Sequence, residues 1–180
     1  TGSSEGDFEN IYYSAGKDGF LVKWTDDNNG EHYQITELEI KMISVSPNGK
    51  EVAVYESDGG LINRVSVWNW ETLTRKFARR FSDSVTSISY TANGNYIMVG
   101  TATVDGVVFL RSTTGEVISN KIRESTGIVS YAITSKTEKT AVMYSPAGSL
   151  AYYNLSTGRL TKKFTVQQGL SNTVLFNNYL

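Results

Sequence analysis

Cysteine is absent and histidine occurs once, and those two gaps remove most of the familiar routes to chemistry. Without thiols there are no disulfides, no thiolate zinc sites and no cysteine nucleophile. A serine or threonine nucleophile needs an activating base beside it. The single imidazole, His32, lies in Glu31-His32-Tyr33, on what alternation reads as an exposed outer strand. No group of His, Asp and Glu has metal-ligand spacing. Asp26-Asp27-Asn28-Asn29-Gly30-Glu31 superficially looks like a calcium loop, but it lacks the twelve-residue pattern and flanking helices and reads as a polar hairpin. Carboxylates converging from distant segments are compatible with glycoside chemistry, although no spacing points to them. The expectation is a non-enzymatic protein with no catalytic residue, cofactor or metal.

Other scarcities narrow the class further. Two prolines in 180 residues argue against a disordered linker. No apolar run approaches the roughly 18 residues of a membrane helix. The first six residues, Thr1-Gly2-Ser3-Ser4-Glu5-Gly6, are small and polar, so residues 1–9 read as a flexible leader rather than a signal sequence. Charged residues make up 19% and the net charge is −1, so no general attraction to nucleic acid is expected, and any membrane contact would be peripheral. Composition leaves the compartment open.

Aromatics and turns are what the chain has in plenty. Eleven tyrosines, seven phenylalanines and three tryptophans suit pleated, half-buried surfaces. One pattern recurs four times: a turn, alternating apolar residues, a bulky residue, then a polar one. The versions are Asp18-Gly19-Phe20-Leu21-Val22-Lys23-Trp24, Asn63-Arg64-Val65-Ser66-Val67-Trp68, Asp105-Gly106-Val107-Val108-Phe109-Leu110-Arg111 and Ala147-Gly148-Ser149-Leu150-Ala151-Tyr152-Tyr153. The anchors Trp24, Trp68, Arg111 and Tyr153 are separated by 44, 43 and 42 residues. A period of roughly 40–45 residues carrying about four strands is the mark of propeller blades.

Period-2 alternation places strands at 11–15, 20–24 and 31–35 in a first blade (10–37), and at 42–46, 51–56, 64–70 and 75–81 in a second (41–81). A third blade (85–122) has strands at 85–91, 96–101, 107–111 and 116–122; a fourth (128–165) has them at 128–134, 140–144, 149–155 and 159–165. A last strand at 173–176, within 171–180, has the form of a blade's first strand and could pair with 11–15. Asn48-Gly49 and Asn93-Gly94 suit tight primed hairpins, in which both residues take positive φ. The expected fold is all-β: a propeller of about four blades of four-stranded antiparallel sheet. Three arrangements stay open, namely an arc of a larger ring, a small ring closed by the last strand, or a half-ring completed by a second copy. An open arc would leave sheet edges and apolar flanks uncovered.

The segment Ser14-Ala15-Gly16-Lys17-Asp18-Gly19-Phe20-Leu21-Val22-Lys23-Trp24, with the Thr114-Gly115-Glu116 and Ser46-Pro47-Asn48-Gly49 turns, resembles a divergent WD40 repeat. TolB-like or other propeller repeats share such turns. The WD40 resemblance implies a tryptophan bonded to an aspartate in the preceding turn and to a hydroxyl on the second strand, here Trp24 with Asp18 and Ser14. It also implies that Trp68, Arg111 and Tyr153 hold equivalent structural positions, with Asp105 pairing Arg111. The Gly-His pair typical of the family is missing. The resemblance further implies a scaffold that binds protein partners.

Two features mark candidate surfaces. The long turn Ser57-Asp58-Gly59-Gly60-Leu61-Ile62-Asn63 puts apolar residues at a loop tip, so Leu61 and Ile62, with Lys17, Arg64, Thr103 and Val104 around them, are the candidate partner contacts. Outer strands carry Arg75, Lys76, Arg79, Arg80, Lys121, Arg123, Arg159, Lys162 and Lys163. Edge cations block sheet-to-sheet pairing; as an alternative function, Arg75, Lys76, Arg79, Arg80, Lys121, Arg123, Lys162 and Lys163 would hold a phosphoinositide headgroup or an acidic peptide. Phe77-Ala78-Arg79-Arg80-Phe81 resembles the Phe-Arg-Arg-Gly motif of phosphoinositide-binding propellers only loosely. Trp70 is expected to pack on the next hairpin.

Overall fold

Alternating apolar residues build fifteen strands among the residues described by the computed structural model, which are 11–25, 29–103 and 106–169. The expected leader, Asp26 and Asp27, Val104 and Asp105, and the expected strand at 173–176 all lie outside the described residues. Every strand pairs with its sequence neighbour, antiparallel, so the chain forms four successive meanders. The first contains β1 (Tyr12–Ala15), β2 (Phe20–Trp24) and β3 (Gly30–Gln34). The second contains β4 (Glu39–Val45), β5 (Glu51–Ser57), β6 (Asn63–Asn69) and β7 (Thr74–Phe81). The third contains β8 (Val85–Tyr90), β9 (Tyr96–Thr101), β10 (Val107–Arg111) and β11 (Val117–Ile118). The fourth contains β12 (Tyr131–Thr134), β13 (Thr140–Ser145), β14 (Ser149–Asn154) and β15 (Arg159–Thr165).

The second and third sheets are apolar on both faces because each is sandwiched between two neighbours. Leu21 of the first sheet packs with Val52, Val54 and Trp70 of the second. The other face of the second sheet, Ala53, Tyr55, Val65 and Val67, meets Ile97 and Val99 of the third. Met98, Val107 and Phe109 on the far side of the third sheet then meet Met143, Ala151 and Tyr153 of the fourth. One sheet alone could bury neither face, so stability comes from these three seams. Four such sheets in a row make a β-propeller of about four blades.

Strands β4, β8 and β12 lie side by side at the inner edge, which explains their polar content. Thr86 Oγ1 donates to the Val129 carbonyl at 2.7 Å, Ser89 Oγ to the Ala132 carbonyl at 2.9 Å, and the Tyr90 amide to Ser44 Oγ at 3.0 Å. Hydroxyls thus join blade to blade where apolar packing gives way to a cleft of about 470 Å³, lined by Met42, Ile43, Thr86, Ser87, Ser89 and Tyr131 among others. At the opposite end of β4 and of β12 the connection from the preceding blade folds back over that blade's central turn. Gly19 takes φ 76° there, and a Cβ on it would strike the Thr36 carbonyl, so only glycine fits.

Several expectations need correction, among them the fourth blade's first strand, which starts at Tyr131 rather than at Ile128. Asn48 and Asn93 do not take positive φ; only Gly49 and Gly94 do. Each asparagine side chain instead accepts the amide two residues on, Lys50 at 3.0 Å and Asn95 at 3.0 Å, in turns closed by Gly49 N–H to Ser46 and Gly94 N–H to Thr91. Strand β4 starts three residues earlier than alternation suggests, because a bulge between Ile40 and Met42 lets Ile40 reach the core. Strand β11 keeps only Val117–Ile118 of the expected 116–122. Beyond it the chain leaves the sheet and crosses to the fourth blade, with the Arg123 amide on the Gly158 carbonyl at 2.8 Å. Trp70 packs backward, edge-on to Tyr13 and Tyr33 of the first sheet at 5.5 and 5.6 Å, and its indole donates to Glu31 at 3.3 Å.

Candidate functional site

The turns between second and third strands of the blades share one end of the body with the connections from blade to blade. Residues 57–63 form this turn in the second blade, which is no longer than the five-residue link between β9 and β10 of the third, and hydrogen bonds brace its frame. Asp58 Oδ1 accepts the amides of Gly60 and Ile62, both at 2.9 Å, and these bonds, Ile62's the larger, hold its carboxyl below the usual carboxylate range. Ser57 Oγ accepts the Gly59 amide at 3.0 Å, and Gly59 supplies the positive φ of 80°. Beneath, Asn63 Oδ1 receives the Tyr55 hydroxyl at 2.7 Å and that of Ser57 at 3.3 Å. On this frame Leu61 is 97% exposed, while Ile62 is half-buried. Lys17 is exposed on the equivalent turn of the first blade and Thr103 is half-buried on that of the third.

Arg64 has a different task. Its Nε and terminal nitrogen grip the two carboxylate oxygens of Glu56 at 3.0 and 2.8 Å. Glu56 is 0% exposed and also accepts the Ser66 hydroxyl at 2.7 Å; Ser66 Oγ in turn accepts the Trp68 indole N–H at 3.0 Å. Arg64 also reaches Thr36 Oγ1 at 3.5 Å, on the connection from the first blade. Burial raises the Glu56 pKa, but the bonds from Arg64, Thr36 and Ser66, with the Arg64 charge, outweigh it and hold the group below its ordinary value. Glu56 and Ser66 were missing from the residues singled out in the sequence. The available signal was a glutamate on a central strand, placed opposite Arg64 by the hairpin register.

The tryptophan set is realised in part. Trp24 Nε1 donates to Ser14 Oγ at 2.9 Å across adjacent strands. An indole has one N–H, so Asp18 is not its partner; its Oδ1 accepts the Phe20 amide at 3.2 Å instead. Arg111 pairs with Glu116 at 3.5 Å, and Asp105 lies outside the described residues. Tyr153 is buried, and that burial, with the Glu124 charge, pushes its hydroxyl pKa up. Because Trp24 is 40% exposed and its bond neutral, Trp24→Phe is expected to cost only about 1 kcal/mol in urea unfolding. Trp68→Phe is expected to cost more, since it strips a donor from the chain that ends on buried Glu56.

Outer-strand cations are spread over three blades, and four already have partners. Lys76 bonds Glu51 at 2.6 Å, Arg79 donates to the Gly115 carbonyl at 3.4 Å, Arg75 lies 5.8 Å over the Trp68 ring and Lys121 4.7 Å over Tyr96. Arg80, Arg123, Lys162 and Lys163 are exposed. Among the described residues no three His, Cys, Asp or Glu side chains come together as a metal would require, and no helix is long and apolar enough to cross a membrane.

Residues 3–180 match the family model described as an N-terminal β-propeller domain. An uncharacterized protein of Treponema pallidum (strain Nichols) is 35% identical over 171 residues, which cover 94% of this chain. The chain spans 28% of that protein's length. Four seam-packed antiparallel sheets and a family match over nearly every residue agree, and the chain belongs to the family of N-terminal β-propeller domains.

Proposed function

We propose that this domain is a non-catalytic platform that takes protein partners at the end of the propeller where the 57–63 turn lies. The reading rests on one observation: Leu61 is held almost wholly in solvent by a turn whose polar groups are tied down beneath it. An apolar side chain fixed in place costs little further ordering when a partner covers it, the economy that hot-spot residues exploit. Ile62 sits beside it, with Lys17 and Thr103 on the neighbouring turns. The Trp24–Ser14 bond supports reading the repeats as WD40-like rather than TolB-like, and that likeness favours a scaffold.

Recognition of an anionic ligand by the rim is the weaker reading, because Lys76, Arg75, Arg79 and Lys121 are already engaged within the chain. The two separate in one experiment. Leu61→Asp with Ile62→Asp should weaken partner capture by roughly thirtyfold, as loss of a hot spot does, while circular dichroism and the urea midpoint stay at wild-type values. Capture should persist in high salt, since apolar contact is not screened. Recovery unchanged by the double substitution, or lost with salt alone, overturns the reading.

A further inference from the structure

A groove of about 590 Å³ lies between the fourth blade and the connection that follows the third blade's short outer strand. In the second blade the eight residues of β7 carry Phe77 and Phe81 into the next seam. The two residues of β11 cannot do the same for the fourth blade. The chain instead crosses as a strap over 119–127, tied by the Arg123 amide to Gly158, the Leu160 amide to Glu124 Oε2 at 3.4 Å and the Val107 amide to Thr126 Oγ1 at 3.0 Å. Buried Ala151 and Tyr153 floor the groove, and its exposed apolar surface comes from Leu160, 38% exposed, and Ile128, 46% exposed.

The same groove carries one cation. Lys163 stands opposite Ala151 in the β14–β15 register and takes part in none of the ion pairs among the described residues. Ser149, two residues before Ala151 on β14, also lines the groove, and its hydroxyl makes no hydrogen bond among the described residues. Glu124 accepts the Leu160 amide through Oε2 at 3.4 Å. Apolar walls with a single polar anchor are how small-molecule sites fix orientation, and the volume is of the usual size.

We propose that this groove binds a small amphiphilic carboxylate, its apolar body against Ala151, Tyr153, Leu160 and Ile128 and its carboxylate against Lys163 and Ser149. The site is independent of the 57–63 turn. Its test is titration of the 180-residue chain with decanoate, decanol and acetate, followed by calorimetry and amide chemical shifts. Decanoate should saturate with shifts confined to 125–128 and 145–163, and acetate should not bind. Decanol should bind at least fivefold more weakly, and Lys163→Gln should weaken decanoate about fivefold, the effect of an accessible ion pair. Leu160→Glu, at an exposed position, should weaken decanoate at least tenfold with the urea midpoint unchanged. Absence of saturation, decanol binding as tightly as decanoate, shifts outside those segments, or indifference to both substitutions each overturns the proposal.

Discussion

Replacing Arg64 by methionine is expected to destabilise the fold by about 3–5 kcal/mol at neutral pH, measured as the loss in urea unfolding. The magnitude comes from what is left behind rather than from what is removed. Glu56 is wholly buried between the first and second blades, and its carboxylate keeps its charge because Arg64 grips both oxygens. Without that guanidinium, Ser66 and Thr36 are too few donors for a buried anion, and the group takes up a proton instead. The pH dependence therefore reverses. In the wild type the folded pKa of Glu56 lies below its unfolded value, so its contribution is present above the unfolded pKa and is lost as pH falls through the folded one. In Arg64→Met the folded pKa rises above the unfolded value, and this site's contribution improves as the pH drops. Glu56→Met combined with Arg64→Met removes both charges and should recover at least half of the loss. If Arg64→Met costs under about 1 kcal/mol, the pair is an ordinary surface contact and the seam does not depend on it.

That pair also shows where reading the sequence stops. Strands β2, β9, β10 and β15 form over the residues that alternation assigns, because flanking turns and two-sided burial both act within a few residues. Arg64 looked like a loop-end cation available to a partner; only the β5–β6 register, with Arg64 opposite Glu56, turns it inward. Strand β4 begins three residues before alternation places it because Glu39 and Lys41 look like loop, yet in the strand they sit as an ion pair at 3.5 Å. Strand β11 was read too long for the opposite reason. Val117, Ile118 and Ile122 supply a plausible apolar pattern, but Arg123 and Glu124 find partners on the fourth blade and pull the chain out of the sheet. Among the candidate contacts, exposure of Leu61 comes from its place at the tip of a braced turn, whereas the groove beside Lys163 depends on a chain that leaves the third sheet early, which no local signal announces.

Phe109→Ala is expected to cost about 3–5 kcal/mol, the usual range for a fully buried aromatic. Phe109 is 1% exposed in the seam between the third and fourth blades, edge-on to Tyr96 at 6.4 Å and packed among Met98, Met143 and Tyr153. Nothing nearby can fill the space it leaves. Strand β11, whose Ile118 pairs with Phe109, is too short to slide inward, and the strap beyond it is held by three hydrogen bonds. The loss should fall first on the fourth blade, seen as faster hydrogen exchange at Thr140–Ser145 than at Glu51–Ser57. Val67→Ala acts on the other side of the third blade, where the second-to-third seam is a separate cluster. Blades that touch only their neighbours should make the two losses additive within about 0.5 kcal/mol. Coupling above about 1 kcal/mol would mean that the third sheet shifts as a unit when either seam is thinned. In that case the three seams could not be treated as independent, and stability would belong to the whole stack rather than to each blade pair.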